Sequence, residues 1–158
     1  MNLRPRAAAV ILNEKNELLV LRQKDPVTHF EWWTLPGGGM EGEESVIDTI
    51  VREVEEECNV HCRPIRLIYV SEYVDYKINT HHLGLFFLTQ VDDIENLKPG
   101  MDPEVEEQFI IDCRFISEAD LKASHIPIYP PVFKEQFWID LKDNFINHEI
   151  YQRGQVTT

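Results

Sequence analysis

Residues Arg52–Val60 read REVEEECNV, four glutamates in nine positions. Place Ser45–Cys58 on a helix at about 100° per residue. Val46, Ile47, Ile50, Val51, Val54 and Cys58 then fall in one apolar sector. Glu53, Glu56 and Glu57, spaced i, i+3, i+4, share the neighbouring edge, while Glu55 points elsewhere. Three convergent carboxylates repel one another unless a cation neutralises them, and hard oxygen donors suit Mg2+ or Mn2+. Taken alone, an acidic helix edge is more often merely solvated.

The upstream context changes that weighting. LPGGGMEGEES delivers the chain to the helix start, and its glycines let backbone groups approach a metal or phosphate closely. The two stretches together resemble the signature of the Nudix hydrolases, G-x5-E-x7-R-E-U-x-E-E-x-G-U with U aliphatic. Gly38, Glu44, Arg52, Glu53, Val54, Glu56, Glu57 and Val60 match it. Asn59 stands where the family has glycine, a mild departure, because Asn is the next best residue for the left-handed backbone that ends a helix. Gly42, in EGEE, comes one residue earlier than the usual Gly-Glu pair.

The resemblance implies an α/β fold of the α+β type, an α/β/α sandwich with a mixed, curved sheet between helices. It implies hydrolysis of a diphosphate linkage in a nucleoside diphosphate joined to another group, with Mg2+ or Mn2+ as cofactor. The substrate is then a small nucleotide, a dinucleoside polyphosphate or a nucleotide sugar. Glu56 and Glu57 match the paired metal-binding acids, and Glu53 is either a third ligand or the base that activates water. A carbonyl of Gly37 or Gly38 completes the shell, Arg52 holds the glutamates by salt bridge, and Glu44 braces the loop and helix start. The family varies its general base, so Glu104, Glu106 and Glu107 are candidates for a further carboxylate, against the plainer reading of a solvated loop. Arg22, with Lys24, ends a strand from which it could meet phosphates. Trp32 or Trp33 could stack a base, although one of them belongs in a core. Tyr76 lies near a tyrosine that marks dinucleoside polyphosphate hydrolases, and the proline that marks many ADP-ribose hydrolases is absent nearby.

Other classes stay open beside this one. A catalytically silent Nudix-like domain could sense a nucleotide metabolite, but it predicts eroded glutamates and a DNA-binding module. A plain acidic interaction domain must treat the signature as coincidence. A prenyl diphosphate isomerase has no further support.

The elements that must position these residues follow from pattern. RAAAVILNEKNELLVLRQ reads as two strands around an Asn13–Asn16 turn, and the glycine cluster after FEWWTLP as a loop. Asn59 ends the helix. RPIRLIYVSEYV and HHLGLFFLTQV form a hairpin around Asp75–Thr80, and residues 92–108 form an acidic loop. FIIDCRFI is a strand, SEADLKA a short helix capped by Ser117, and PPVFKEQFWIDLKDNF a helix with Phe133, Phe137 and Leu141 on one face. Residues 1–146 form one domain, with a frayed tail over 147–158. Alternation sends His81 and His82 to opposite faces, which argues against paired ligation.

The 158-residue chain carries 28 acids against 15 bases, a net charge of −13. That disfavours duplex nucleic acid and anionic membranes as partners. Cys58, Cys62 and Cys113 form no CxxC pair and read as reduced thiols of a cytoplasmic protein rather than a zinc site. No stretch is apolar enough to span a bilayer, and the initial apolar run reads as a strand rather than a signal peptide. A homodimer is left open.

Overall fold

Strand β1 (Asn2–Val10) carries three consecutive alanines, and all three are fully buried. Small side chains are needed there because both faces of the strand are covered. Ala7 and Ala9 face one hydrophobic cluster, and Ala8 and Val10 face the other. The structure, a computed structural model, describes residues 1–98 and 110–154.

After β1 come β2 (Leu18–Lys24), β3 (Glu31–Thr34), β4 (Gly37–Gly39) and the helix α1 (Val46–Cys58). Then follow β5 (Cys62–Asp75), β6 (Thr80–Val91), β7 (Ile110–Ile116), α2 (Glu118–Ala123), α3 (Gln136–Lys142) and β8 (Tyr151–Arg153). A mixed five-stranded sheet has the order β4-β1-β6-β5-β8, and a three-stranded antiparallel sheet has the order β3-β2-β7. The first is parallel at β1–β6 and β5–β8. Helix α1 covers one core, built on Ala7, Ala9, Leu19, Leu21, Ile50, Val54 and Cys58. The C-terminal elements cover the other, where Phe133 and Phe145 meet the Tyr69 ring and Phe137 packs against both of them. The buried Tyr69 hydroxyl donates to Asp140, which also accepts from Gln136 Nε2 at 2.9 Å, so this buried carboxylate is satisfied.

The β5–β6 hairpin, β7 and the Ser117-capped α2 lie where the sequence pattern predicts them. The Asn13–Asn16 turn joins β1 to β2 as read, with Asn13 N–H donating to Glu17 O at 3.1 Å and Leu19 N–H to Ile11 O at 2.9 Å, although the two strands run on into different sheets. Four expectations change. The glycine cluster is a strand rather than a loop, because the alanine backbone of β1 offers it an edge to pair with. Ile47 is 40% exposed, one turn from the buried face it was expected to join. The helix expected from Pro130 splits into a short 3-10 turn at Pro131–Phe133 and α3. The tail is not wholly frayed, since Tyr151–Arg153 pairs with Val70–Glu72 of β5.

Both ends of α1 are closed by side-chain chemistry. Ser45 Oγ accepts from Asp48 N–H at 3.1 Å, and Asp48 Oδ2 accepts from Ser45 N–H at 3.0 Å, a reciprocal cap. At the far end Asn59 adopts φ 59°, ψ 34° and donates its N–H to Glu55 O at 2.9 Å. A residue with a branched Cβ is strained in that left-handed conformation, and asparagine tolerates it. Asn59→Gly should therefore leave stability unchanged or slightly raised, whereas Asn59→Val should cost about 1–2 kcal/mol. Denaturant unfolding of the two variants measures the difference.

Candidate active site

Arg52 is the hub of the acidic edge of α1. Its Nε and Nη2 grip Glu44 from two sides, at 2.6 Å to Oε1 and 3.1 Å to Oε2. Its Nη1 donates to Glu53 Oε1 at 2.9 Å and to Glu56 Oε2 at 3.3 Å, and Nη2 also reaches Gly39 O at 3.2 Å. One planar fork thus ties the incoming loop, strand β4 and two glutamates together, geometry that a lysine could not reproduce. Glu44 accepts further hydrogen bonds from Thr49 Oγ1 at 2.9 Å and Glu41 N–H at 3.2 Å. The Arg52 guanidinium holds the Glu44 carboxyl down at about 2. The arginine in turn is held well above its usual value, chiefly by Glu44.

Strand β4 presses its glycines against this edge. A Cβ on Gly38 would lie 2.2 Å from Glu53 Oε1, and one on Gly37 would lie 2.3 Å from Ala7 O. Gly37 N–H donates to Glu57 Oε1 at 2.8 Å. Burial pushes the Glu57 carboxyl up to about 8, helped by the neighbouring charge of Glu53. Burial also raises Glu53, with Arg52 opposing it. Glu57 makes no ion pair among the described residues, and Glu56 is the most exposed of the three, its side chain 45% accessible. Glu55 points into solvent, as expected. Among the described residues no three His, Cys, Asp or Glu side chains are already drawn together as a metal centre. Glu53 and Glu56 share Arg52, while Glu57 turns inward to β4.

Arg6 is a site residue that the pattern of acids did not reveal. From β1 its Nη2 donates to Leu35 O at 3.4 Å and Gly37 O at 3.3 Å, and its charge acts on both Glu53 and Glu57. The signal available in the sequence was the alternation Arg4, Arg6, Ala8, which puts two arginines on one face of a strand.

The other sequence candidates are scattered. Arg22 Nη2 is held by Glu31 Oε2 at 2.6 Å, and its guanidinium lies 5.9 Å from the Trp33 ring centre. Trp33 is buried, with Nε1 donating to Ser124 Oγ at 3.3 Å, and Trp32 stacks on Phe30 at 5.8 Å. Tyr76 is exposed on the β5–β6 turn. Lys24 ends β2. His81 Nε2 lies 2.9 Å from Glu72 Oε2, whereas His82 stacks on Tyr73, so the two histidines do diverge. The three cysteines are free and buried, with Cys58 and Cys113 Sγ atoms 3.4 Å apart. Glu104, Glu106 and Glu107 lie outside the described residues.

The described residues thus form a mixed sheet flanked by helices, with a glycine strand laid against an acidic helix. The model of the NUDIX domain matches residues 2–136, and the chain belongs to the Nudix family. Among its relatives is the 8-oxo-dGDP phosphatase NUDT18 of Mus musculus, 32% identical over 102 residues, covering 61% of this chain and 31% of that protein. Another is the RNA pyrophosphohydrolase of Pelagibacter ubique, 28% identical over 145 residues, covering 89% of this chain and 78% of that protein. A solved NUDIX hydrolase from Nitrosomonas europaea shares the fold with a TM-score of 0.68 at 21% identity, over 94% of this chain and 98% of that one. The chain spans less than a third of the length of the vertebrate NUDT18 relatives it matches. No helix among the described residues is long and apolar enough to cross a membrane.

Because Arg52 depresses the Glu44 carboxyl below its unfolded value of 4.5, this clamp stabilises the fold fully above that pH and is lost as pH falls through about 2. Glu44→Gln should therefore lower the melting temperature at neutral pH. The gap to the parent should close as thermal unfolding is repeated from pH 5 down to pH 2.

Proposed function

We propose that this chain is a divalent-metal-dependent pyrophosphohydrolase that cleaves a diphosphate linkage in a nucleotide-bearing substrate. The observation that carries the reading is the contact between β4 and α1. Gly37 N–H holds Glu57, Gly38 makes room for Glu53, and Arg52 orients Glu53 and Glu56. Family membership supports hydrolytic chemistry at such a site. Two matched relatives are named for nucleotide substrates, 8-oxo-dGDP and RNA.

The residues fit a hard cation. The donors on this edge are all oxygens, and Glu57 is a carboxylate whose ionised form is opposed by burial and answered by no ion pair among the described residues. Glu53, Glu56, Glu57 and the carbonyl of Gly37 or Gly38 would hold Mg2+ or Mn2+. When bound, the metal neutralises the phosphate oxygens and the leaving phosphate. Arg52 ties Glu53 and Glu56 to one guanidinium, and Gly37 N–H fixes Glu57. Arg6 braces β4 from behind through the Leu35 and Gly37 carbonyls. The three unpaired thiols suit a reducing compartment such as the cytoplasm.

The test is a phosphate-release screen over nucleoside di- and triphosphates, nucleotide sugars, ADP-ribose and dinucleoside polyphosphates, with Mg2+ or Mn2+ and with chelator. Turnover should appear with metal only. Glu56→Gln and Glu57→Gln should each lower it at least about a hundredfold while the circular dichroism spectrum stays unchanged. Unaltered turnover in both would sink the assignment. Gly38→Ala should displace Glu53 and lower kcat at least about tenfold, with a stability change within roughly 1 kcal/mol, because the clashing atoms end a flexible side chain.

A further inference from the structure

One face of the five-stranded sheet gathers basic side chains near its edge. Arg4 and Arg6 alternate with Pro5 on β1 and project to the same side. In the parallel register Arg4 is opposite His82 and Arg6 is opposite Gly84. Across the next pairing His82 is opposite Tyr73, and Gly84 is opposite Ser71. Two rows therefore cross the sheet, Arg4–His82–Tyr73 and Arg6–Gly84–Ser71. Tyr73 and His82 stack nearly parallel, with centroids 4.4 Å apart and planes 10° apart.

The chain holds almost twice as many acids as bases. Even so, neither arginine of this pair makes an ion pair with a carboxylate among the described residues. Arg6 donates only to the carbonyls of Leu35 and Gly37, and the exposed Arg4 side chain makes no hydrogen bond at all there. His82 Nε2 is buried and likewise takes no hydrogen-bond partner among the described residues. Burial lowers the pKa of His82, and both arginines add to that effect, as does His81, while Asp75 opposes it. Burial therefore favours the neutral imidazole, which adds a polar atom rather than a third charge. Two neighbouring guanidinia repel each other, and a buried unmet polar atom is costly, so among the described residues this surface has room for an anionic partner.

Its position says what would fill it. Gly37 meets both groups, its N–H donating to Glu57 and its C=O accepting from Arg6. The cationic face thus begins where the glutamate site ends, separated by one strand.

We propose that Arg4 and Arg6, with the Tyr73–His82 stack beside them, form a subsite for an ionised phosphate of the substrate that lies outside the hydrolysed linkage. The inference rests on the hydrolase reading above and narrows it. The preferred substrate carries a further charged phosphate, as nucleoside triphosphates and longer polyphosphates do. A nucleotide sugar, whose far end is uncharged, lacks it.

Binding separates this subsite from catalysis. Inorganic tripolyphosphate titrated calorimetrically into the intact chain in EDTA should bind, more weakly as salt rises. Arg4→Gln should weaken that binding about tenfold, the loss of one charge-assisted contact, and the Arg4→Gln/Arg6→Lys pair should weaken it further. Arg63→Gln removes the same charge ten residues along β5 from Tyr73, about 33 Å away, and should change affinity less than about twofold. In kinetics, Arg4→Gln should raise KM for a nucleoside triphosphate about tenfold with kcat held within about twofold, and should raise KM for a nucleotide sugar less than about threefold. Equal tripolyphosphate affinity in the parent and in Arg4→Gln, or equal KM effects on both substrates, overturns the proposal. The hydrolase reading fails separately. If Glu57→Gln turns over substrate normally while Arg4→Gln still loses tripolyphosphate, the subsite stands and the metal-site assignment falls.

Discussion

The close approach of a glycine backbone to a charged helix is the constraint on which the rest depends. Strand β4 can lie against α1 only because two side chains are missing. A methyl at Gly37 would strike the β1 backbone, and one at Gly38 would strike the Glu53 carboxylate. The approach brings a backbone N–H to Glu57, whose charge is otherwise poorly tolerated where it sits. It also brings the Gly39 carbonyl to Arg52. Arg52 and Glu57 thus join the helix to the strand, through the Gly39 carbonyl and the Gly37 N–H, and Arg52 and Thr49 join it to Glu44 of the loop.

The two cores serve this arrangement from either side. Ile50, Val54 and Cys58 seat α1 on β1 and β2, which sets the rotation of the helix and hence the direction of its glutamates. The aromatic cluster around Tyr69 covers the opposite face of the mixed sheet. That cluster ends at Phe86, whose ring leans over Gly84. Beyond it the same face turns polar, at Arg6, His82 and Arg4. One strand, β1, therefore contributes alanines to both cores and arginines to the rim of the site.

Much of the site was legible before any fold was known, because the helix has a short and regular period. Spacing alone separated Glu53, Glu56 and Glu57 from Glu55, and the structure leaves Glu55 in solvent. The resemblance assigned Arg52 to the glutamates and Glu44 to the helix start, and only the structure shows that these two grip each other. Less legible were contacts made across strands. The pairing of Gly37–Gly39 with β1 leaves no mark on composition, because glycine suggests a turn wherever it clusters. Arg6 was overlooked for the same reason, since its role depends on which carbonyls lie opposite. Arg22, read as a residue that could meet phosphates, donates to Glu31 and lies 5.9 Å from the ring centre of Trp33, and Trp33 is the tryptophan that belongs to the core.

The sequence by itself determined the chemistry, an acidic helix edge with an arginine clamp and a glycine-rich approach, because residue types at helical spacing are local information. It also determined how α1 starts and stops, through Ser45, Asp48 and Asn59, since caps act within one turn. Only the tertiary structure decided that the three glutamates differ, one inward on Gly37, one beside Gly38 and one half-exposed beside Arg52. Only the tertiary structure set Arg4, Arg6 and His82 on one face next to them. Burial and cross-strand register join residues distant in sequence, and a one-residue change of register would send those arginines to the opposite side of the sheet.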